Sequence, residues 1–218
     1  MAKRRPSSGR WLREHHTDPF VLRARREGYR SRAAFKLLEI ASYPFGGTPG
    51  RLLGPGMTVV DLGSAPGGWS QVAAEMVGGQ GRVVAMDLLA MPPLEGVIFI
   101  QGDFLGEVGL RSLGEAIQPR RTVDVVLSDM APNMTGIALA DQTRGESLAE
   151  AAHEFACQTL ELGGTLVVKL FHGPGFHETV RRARMDFTRV KVIKPQASRD
   201  RSAEQYLVGV GFRGVSSS

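Results

Sequence analysis

The chain has 218 residues, which suits one domain with a sizeable core and short extensions. Its formal net charge of +5 is unevenly distributed: residues 1–36 hold 11 Lys/Arg against 3 Asp/Glu, residues 181–201 hold 8 against 2, and the remainder holds 8 against 17. No apolar run approaches the roughly 20 residues of a membrane span, and the only cysteine, Cys157, excludes an internal disulfide and suits a reducing, cytoplasmic compartment.

The N-terminal part of the chain is predicted to form a basic leader. Its first residues are basic and contain serine, which favours a short disordered arm over the alternative of a transit peptide. Two short helices follow at Pro19–Glu27 and Ser31–Tyr43, the second with apolar residues at helical spacing. The Gly/Pro-rich stretch Pro44–Gly56 separates this leader from the main body. We therefore expect a basic N-terminal segment at residues 1–56, a main domain at residues 57–213 and a disordered tail at residues 214–218.

From Met57 onward, the sequence alternates between strand and helix patterns. Seven strands are predicted, at Thr58–Leu62, Arg82–Asp87, Val97–Gln101, Val123–Ser128, Thr165–Leu170, Arg189–Ile193 and Tyr206–Gly211. Helices are predicted near Trp69–Val77, Glu107–Ile117, Glu146–Leu162 and Phe176–Phe187. This alternation is typical of an α/β fold with a doubly wound, mostly parallel sheet and helices on both faces. The last two strands have no clear helix between them, which favours an antiparallel hairpin at one edge.

The two basic blocks flank an acidic middle of the chain. Clustered arginines with Trp11, Phe20 and Tyr29 nearby are typical of a surface that contacts a nucleic-acid phosphate backbone. A solvated surface that only keeps the protein soluble is the alternative. Because the excess charge is confined to two blocks, nucleic-acid contact is the favoured interpretation.

A glycine-rich run at residues 61–69, DLGSAPGGW, joins the first strand of the main domain to the next helix. It is not the G-x-G-x-x-G run of dinucleotide binders, and Pro66 lacks an N–H group that a phosphate cradle would use. A ligand without phosphate, such as an adenosine cofactor, fits this turn better. Trp69 suits both core packing and the floor of a ligand pocket. Three glycines let the backbone turn tightly and approach a ligand closely: Gly63, Gly67 and Gly68.

Acidic residues lie at or near the ends of several predicted strands. In doubly wound sheets, ligands bind beyond the carboxyl ends of the strands, where strand order reverses. Asp87 closes the second strand, where a carboxylate can accept hydrogen bonds from ribose hydroxyls. Asp103 follows the third strand and can accept from an adenine amino group, although a solvated turn is nearly as compatible with it. Asp61 and Asp129 are similarly placed, and carboxylates suit a cofactor with positive charge, such as the sulfonium of S-adenosylmethionine.

Lys169 interrupts the apolar run at residues 165–171, which predicts a strand buried on both faces. An unpaired ammonium group there would be costly or would need a shifted pKa. Such a lysine is tolerated when it does chemistry or meets a carboxylate, and Asp129 is the first candidate partner. Lys36 and Glu204 complete a formally neutral set, although each of them alone also suits an exposed surface position.

Methyl transfer to a ribose hydroxyl is the chemistry that this set fits. A hydroxyl is a poor nucleophile, so the reaction gains from a positioned base, and a lysine can serve when its pKa falls. Amino-group methylation is disfavoured because no aromatic residue follows Asp129 to stack a base. Methylation of a base carbon needs a cysteine in the pocket, whereas Cys157 lies in a predicted helix. The histidines show no metal-ligand spacing, so we expect no metal.

Taken together, these motifs are recognisable. The chain resembles the FtsJ/RlmE family of ribosomal RNA large-subunit 2′-O-ribose methyltransferases from Trp11 to about Phe212. The matching stretches are residues 27–37, the turn through Trp69, and residues 86–88, 101–104, 128–134, 163–169 and 194–199.

The resemblance implies a Rossmann-like fold that uses S-adenosylmethionine. It places the family's Lys-Asp-Lys-Glu tetrad on Lys36, Asp129, Lys169 and Glu204, with Lys169 as proton acceptor. It also implies a uridine ribose in the A loop of the peptidyl-transferase centre as target, with the large ribosomal subunit as partner. Residues implied to bind the methyl donor are Gly67, Trp69, Asp87, Asp103 and Asp129.

Two other functions remain open at this point. The first is a related 2′-O-methyltransferase that acts on transfer RNA or on an RNA cap. The second is a non-catalytic RNA-binding or ribosome-assembly factor, against which a buried Lys169 argues. His172, directly after the strand that carries Lys169, suits RNA contact or an ordinary loop position. We expect a cytoplasmic monomer without membrane association.

Overall fold

The computed structural model describes residues 17–45, 52–132, 135–199 and 202–214. Within these residues, seven strands form the centre of the protein. The strands are β1 (Thr58–Leu62), β2 (Arg82–Asp87), β3 (Val97–Gln101), β4 (Val123–Ser128), β5 (Leu160–Phe171), β6 (Phe187–Ile193) and β7 (Glu204–Phe212). Six helices lie in the described residues: α1 (Pro19–Glu27), α2 (Ala33–Ser42), α3 (Gly68–Val77), α4 (Glu107–Ala116), α5 (Ala138–Thr159) and α6 (Phe176–Asp186).

The strands form one sheet in the order β3-β2-β1-β4-β5-β7-β6. The pairs β1–β2, β1–β4, β2–β3 and β4–β5 are parallel, whereas β7 runs antiparallel to both β5 and β6. The predicted mostly parallel sheet and the predicted hairpin of the last two strands are therefore confirmed. Strand order reverses between β1 and β4, which places a crevice at their carboxyl ends.

Each face of the sheet carries its own apolar core. Helices α4, α5 and α6 cover one face, where Leu113, Phe155 and Val180 pack on the strands. Helices α2 and α3 cover the other face, where Leu37 and Ile40 pack together with residues of β1 and β7. Helix α2 of the basic leader is thus part of a core layer of the sheet domain.

Two predicted boundaries were wrong by five residues or more. Helix α5 begins at Ala138, eight residues before the predicted start, and its N-terminal part has few buried apolar side chains, so no helical apolar pattern marked it. Strand β5 begins at Leu160, five residues before the predicted start at Thr165. It continues through Gly163 and Gly164, a pair that in the sequence is typical of a turn. The structure accommodates the glycine pair as an irregularity in the β4–β5 register.

Several predicted segments lie outside the described residues. These are the N-terminal arm up to residue 16, part of the Gly/Pro-rich stretch, residues 133–134 of the predicted motif at 128–134, and all of the predicted tail except Gly214. Among the described helices, none is both long and apolar enough to cross a membrane.

Candidate active site

The glycine-rich turn lies between β1 and α3, at the crevice where strand order reverses. Gly63 has a φ of +75°, and a Cβ there would lie 2.8 Å from Met130 Cγ. Gly67 has a φ of +108° and is the N-cap of α3. A Cβ at Gly68 would overlap Ser31 Oγ of the leader. The three predicted glycines therefore allow close packing of the turn against β4 and the leader, as well as its tight path.

Two predicted donor-binding carboxylates lie on neighbouring strand ends. Asp87 accepts hydrogen bonds from the backbone N–H of Ala65 and of Leu89, each at 2.8 Å, so it braces the glycine-rich turn. Asp103 is exposed and accepts from Leu105 N–H at 2.9 Å. Because a carboxylate has about four lone-pair sites, both groups keep acceptor capacity for a ligand.

Trp69 is a packing residue in this structure. Its side chain is only 2% exposed, and its indole N–H donates to the carbonyl of Ala33 at 2.8 Å. Its ring lies 5.4 Å from the ring of Tyr206. The Trp69 indole is therefore part of the core packing, which is one of the two roles that the sequence suggests for it. The first backbone N–H groups of α3 have no partner within the helix and can bind a ligand.

Asp61 is a fully buried carboxyl group under the same turn. Its Oδ2 accepts from Ser70 Oγ at 2.6 Å, and its Oδ1 has no hydrogen-bond partner among the described residues. Burial raises the pKa of Asp61 to about 7; the Ser70 hydrogen bond opposes this rise, and the charges of Asp129 and Asp87 add to it. The sequence placed Asp61 near a strand end but gave no sign of this environment.

The four residues of the predicted tetrad come together at the carboxyl ends of β4 and β5. Lys169 Nζ lies 2.7 Å from Asp129 Oδ1 and 4.0 Å from Glu204 Oε2, and Lys36 Nζ lies 2.8 Å from Glu204 Oε1. Their side chains are between 7% and 16% exposed. Two ammonium groups and two carboxylates thus share one partly buried cluster.

Sheet register explains how residues so distant in sequence meet. Ser128 of β4 pairs with Val168 of β5, which places Asp129 beside Lys169. On the other side of β5, Glu204 pairs with Phe171 and Tyr206 pairs with Lys169. Lys36 reaches the cluster from α2, which packs on this face of the sheet.

Tyr206 is a member of this cluster that the sequence reasoning missed. Its hydroxyl donates to Asp129 Oδ1 at 2.5 Å and accepts from Lys36 Nζ at 3.0 Å, so it connects the two ion pairs. Burial raises the pKa of Tyr206 well above its ordinary value, and the charges of Asp129 and Glu204 add to the rise. Strand periodicity could have identified Tyr206, because it lies two residues after Glu204 and therefore shares one face of β7 with it.

The charge state of Asp129 follows from its partners. Burial by itself would raise its pKa, but the ammonium groups of Lys169 and Lys36, with hydrogen bonds from Lys169 and Tyr206, outweigh burial and lower the pKa below its ordinary value. Lys169 Nζ also donates to the backbone carbonyl of Asp129 at 2.9 Å. Asp129 is therefore a carboxylate at neutral pH and holds the Lys169 amine in one position.

An open pocket of about 410 Å³ adjoins the tetrad and is lined by Arg32, Lys36, Arg199, Ser202 and Glu204. The guanidinium groups of Arg32 and Arg199 both contact the Asp18 carboxylate. Burial, and then the charge of Arg199, lowers the pKa of Arg32. A smaller cavity of about 220 Å³ lies at the amino ends of β1 and β4, away from these groups. The pocket beside the tetrad is lined by charged and polar side chains, which suits a charged ligand, whereas the lining of the smaller cavity is mostly apolar.

Comparison with known proteins decides the family. The family model described as FtsJ-like methyltransferase matches residues 29–212, a range that includes the glycine-rich turn and all four tetrad residues. The chain belongs to the FtsJ-like methyltransferase family.

Its relatives within the FtsJ-like family match nearly the whole chain. Ribosomal RNA large subunit methyltransferase E of Magnetococcus marinus is 58% identical over 215 residues, which are 98% of this chain and 100% of the relative. The protein of the same name from Alkalilimnicola ehrlichii is 54% identical over 210 residues, 96% of this chain and 97% of the relative. A crystal structure described as a ribosomal RNA methyltransferase from Plasmodium falciparum is 29% identical, with a TM-score of 0.72 over 86% of this chain and 100% of that one.

One grouping in this FtsJ-like protein was not anticipated. His153 and Cys157 lie four residues apart on α5, and together with Asp186 they place possible metal-ligand atoms within 4.8 Å of one another. Burial raises the pKa of the Cys157 thiol to about 11, so the thiol stays protonated and donates to Asp186 at 3.9 Å. His153 Nε2 also lies 3.0 Å from Asp186 Oδ2, so the group connects α5 with the end of α6.

Proposed function

We propose that this FtsJ-like methyltransferase transfers a methyl group from S-adenosylmethionine to the 2′-hydroxyl of a uridine ribose in the A loop of large-subunit ribosomal RNA. The observation that carries the proposal is a lysine amine, 7% exposed, held by Asp129 beside a crevice that suits an adenosine cofactor. The names of relatives at 54% and 58% identity support large-subunit ribosomal RNA as the substrate class.

The residues at the crevice fit the methyl donor. Asp61, Asp87 and Asp103 lie at or near the strand ends that border the crevice, and Asp61 has a buried oxygen without a hydrogen-bond partner among the described residues. Carboxyl groups suit a ligand with positive charge. Asp87 and Asp103 would accept hydrogen bonds from the ribose and adenine, while N–H groups at the start of α3, near Gly67 and Gly68, would bind a carboxylate. When bound, S-adenosylmethionine supplies the methyl group and its sulfonium makes that group electrophilic.

The tetrad would act on the ribose of the substrate. Lys169, in its unprotonated form, would take the proton of the 2′-hydroxyl at Nζ, so that the oxygen can accept the methyl group, whose bond to the donor's sulfonium sulfur would break to leave a neutral thioether. Asp129 holds that nitrogen at 2.7 Å, and the Tyr206 hydroxyl holds Asp129. Lys36 fixes Glu204 at 2.8 Å on the pocket side. The arrangement provides the fixed geometry that general-base catalysis requires.

A single substitution tests the role of the amine. Lys169→Ala should lower methyl transfer to unmodified large subunits by about 10²- to 10⁴-fold, the usual contribution of a general base, while donor affinity in calorimetry changes only a few-fold. Arg111→Ala, an exposed cation on α4 outside both basic blocks, is the control and should retain activity. Equal losses of donor binding and of methyl transfer in Lys169→Ala would place the amine in the donor site and contradict its role as base.

Mapping of ribose methylation tests the target. In cells that lack this gene, one methylated uridine of the A loop should disappear from large-subunit ribosomal RNA and return with the wild-type gene, but not with Lys169→Ala. A site lost from transfer RNA or from an RNA cap instead would favour the other 2′-O-methyltransferase function. Buried ion pairs around Lys169 argue against a purely structural assembly factor, because each buried charge costs free energy that such a factor does not need to spend.

A further inference from the structure

An exposed aromatic pair lies on the rim of the candidate active site. His172 follows the last residue of β5, and its ring stacks on Phe176 with ring centroids 4.6 Å apart and an interplanar angle of 22°. His172 is exposed, while Phe176 is half-buried at the start of α6. One face of the imidazole is thus covered by an apolar ring, and the side chain remains open to a ligand.

The position of the pair relative to the tetrad suits the substrate. His172 lies three residues beyond Lys169, which is roughly 10 Å along an extended strand. By strand alternation His172 leaves the opposite face of the sheet from Lys169, at the same strand end, so the ring pair is outside contact with the reacting ribose and within reach of a neighbouring nucleotide. Arg182 and Arg184 follow on the exposed side of α6, in the basic block where phosphate contact is expected.

The loop that carries His172 is held in place by α5. Gln142 Nε2 donates to the carbonyl of His172 at 2.5 Å, and Glu146 Oε1 accepts from Gly175 N–H at 3.0 Å. A Cβ at Gly173 would lie 2.1 Å from Gln142 Nε2 and 2.4 Å from Glu146 Oε1, so a larger residue would require these two side chains to move. The ring pair is therefore built on a fixed support, which reduces the entropy lost on binding.

The imidazole is also held from the side of β7. Gln205 Nε2 lies 2.6 Å from His172 Nε2, so the amide donates to an unprotonated ring nitrogen. Gln205 stands between two residues of the catalytic cluster, Glu204 and Tyr206, and by strand alternation its side chain leaves the opposite face of the sheet. The strand that orients the tetrad on one face thus orients the imidazole on the other.

We propose that the His172–Phe176 ring pair is a stacking subsite for an unpaired RNA base next to the methylated ribose, with Gln205 fixing the imidazole. This proposal rests on the proposed function, which brings single-stranded RNA to this rim. Unpaired bases are commonly bound by stacking on aromatic side chains, and such stacking is tolerant of base identity. RNA would run over the carboxyl end of β5 and the amino end of β7, with the ribose at Lys169 and the neighbouring base on His172.

The test compares three variants in binding to a short single-stranded RNA of the A-loop sequence, without donor, at several salt concentrations. His172→Ala should weaken binding by about fivefold to about 150-fold, which is the stacking contribution of one base. His172→Phe keeps an aromatic ring and should stay within about threefold of wild type. His177→Ala is the matched control, because His177 is exposed and contacts Phe176 only edge-on, at 5.5 Å and 89°.

Removal of single bases locates the stacked nucleotide. In RNAs with one abasic position, loss of one base beside the target should weaken binding to wild type and leave binding to His172→Ala nearly unchanged. Unchanged binding by His172→Ala, equal losses in His172→Ala and His172→Phe, or a salt dependence reduced by about one phosphate contact in His172→Ala would each overturn the stacking role. Binding is measured apart from methyl transfer, so a wild-type protein that binds but does not methylate contradicts only the proposed function.

Discussion

Asp61 offers a test of how burial controls charge beneath the glycine-rich turn. The carboxyl group is completely buried, makes one hydrogen bond at 2.6 Å to Ser70, and has a pKa raised by burial from an ordinary 3.8 to about 7. Asn has the same shape and cannot titrate. Asp61→Asn should therefore change the pH dependence of stability even if it also changes stability at every pH.

The sign and the size of this pH effect follow from the linkage between proton binding and folding. The folded pKa is raised above the unfolded one, so the contribution of Asp61 to stability is complete below pH 3.8 and is lost as pH rises through 7. Between pH 5 and pH 7 the unfolded chain has released this proton and the folded chain retains it. Each pH unit in this range therefore lowers the free energy of unfolding of the wild type by about 1.36 kcal/mol, which gives about 2.7 kcal/mol over the two units.

Urea denaturation at pH 5, 6, 7 and 8 measures this difference. The free energy of unfolding of Asp61→Asn, relative to wild type, should rise by about 2.7 kcal/mol from pH 5 to pH 8. Asp141→Asn is the control: hydrogen bonds from Thr135 lower the pKa of Asp141, so this group stays ionised throughout the range and its loss should not alter the slope. Curves for wild type and Asp61→Asn that stay parallel within about 0.5 kcal/mol would show that Asp61 is already ionised at pH 5, and would refute the argument from burial.

Two further predictions concern the cluster and the leader. Tyr206→Phe should lower the free energy of unfolding, measured in urea, by about 1–3 kcal/mol, because it removes the hydroxyl that connects Lys36 and Asp129. Tyr29→Phe is the control, because the hydrogen bond from the Tyr29 hydroxyl to Glu75 is exposed and 3.5 Å long. Equal losses of stability in the two variants would contradict the connecting role of the Tyr206 hydroxyl. Deletion of residues 1–16, which carry five Lys/Arg, should weaken RNA binding and reduce its salt slope by up to about 3.5. A slope that does not change would exclude this segment from phosphate contact.

Much of the sheet could be predicted because its strands carry their signal locally. Strands β1 to β4 begin and end at the predicted residues, since each is a short apolar run bounded by turn residues. The start of α5 has no such local signal. It is stabilised by Asp141, which accepts from the backbone of Thr135 and Gly136 just before the helix, and by the tertiary contact of Gly145 with Phe171.

The same distinction applies to the site. Lys169 was found because an ammonium group is anomalous inside an apolar strand, and the anomaly is visible in seven residues. Tyr206 was missed because a tyrosine is ordinary in a strand, and its role depends on Lys36, 170 residues away. The environment of Asp61 depends likewise on three chain segments that only the fold brings together.

The location of Lys36 links the leader to the proposed catalytic tetrad. Helix α2 provides Lys36 to Glu204, its Ala33 carbonyl accepts the indole N–H of Trp69, and Arg32 contacts Asp18 at the start of α1. The donor crevice lies at the carboxyl ends of β1 to β4 and at the start of α3, whereas the tetrad is complete only when α2 is docked. The deletion described above must therefore end before Asp18: a longer one would remove part of the active site together with the basic arm, and a loss of RNA binding could then not be assigned to charge.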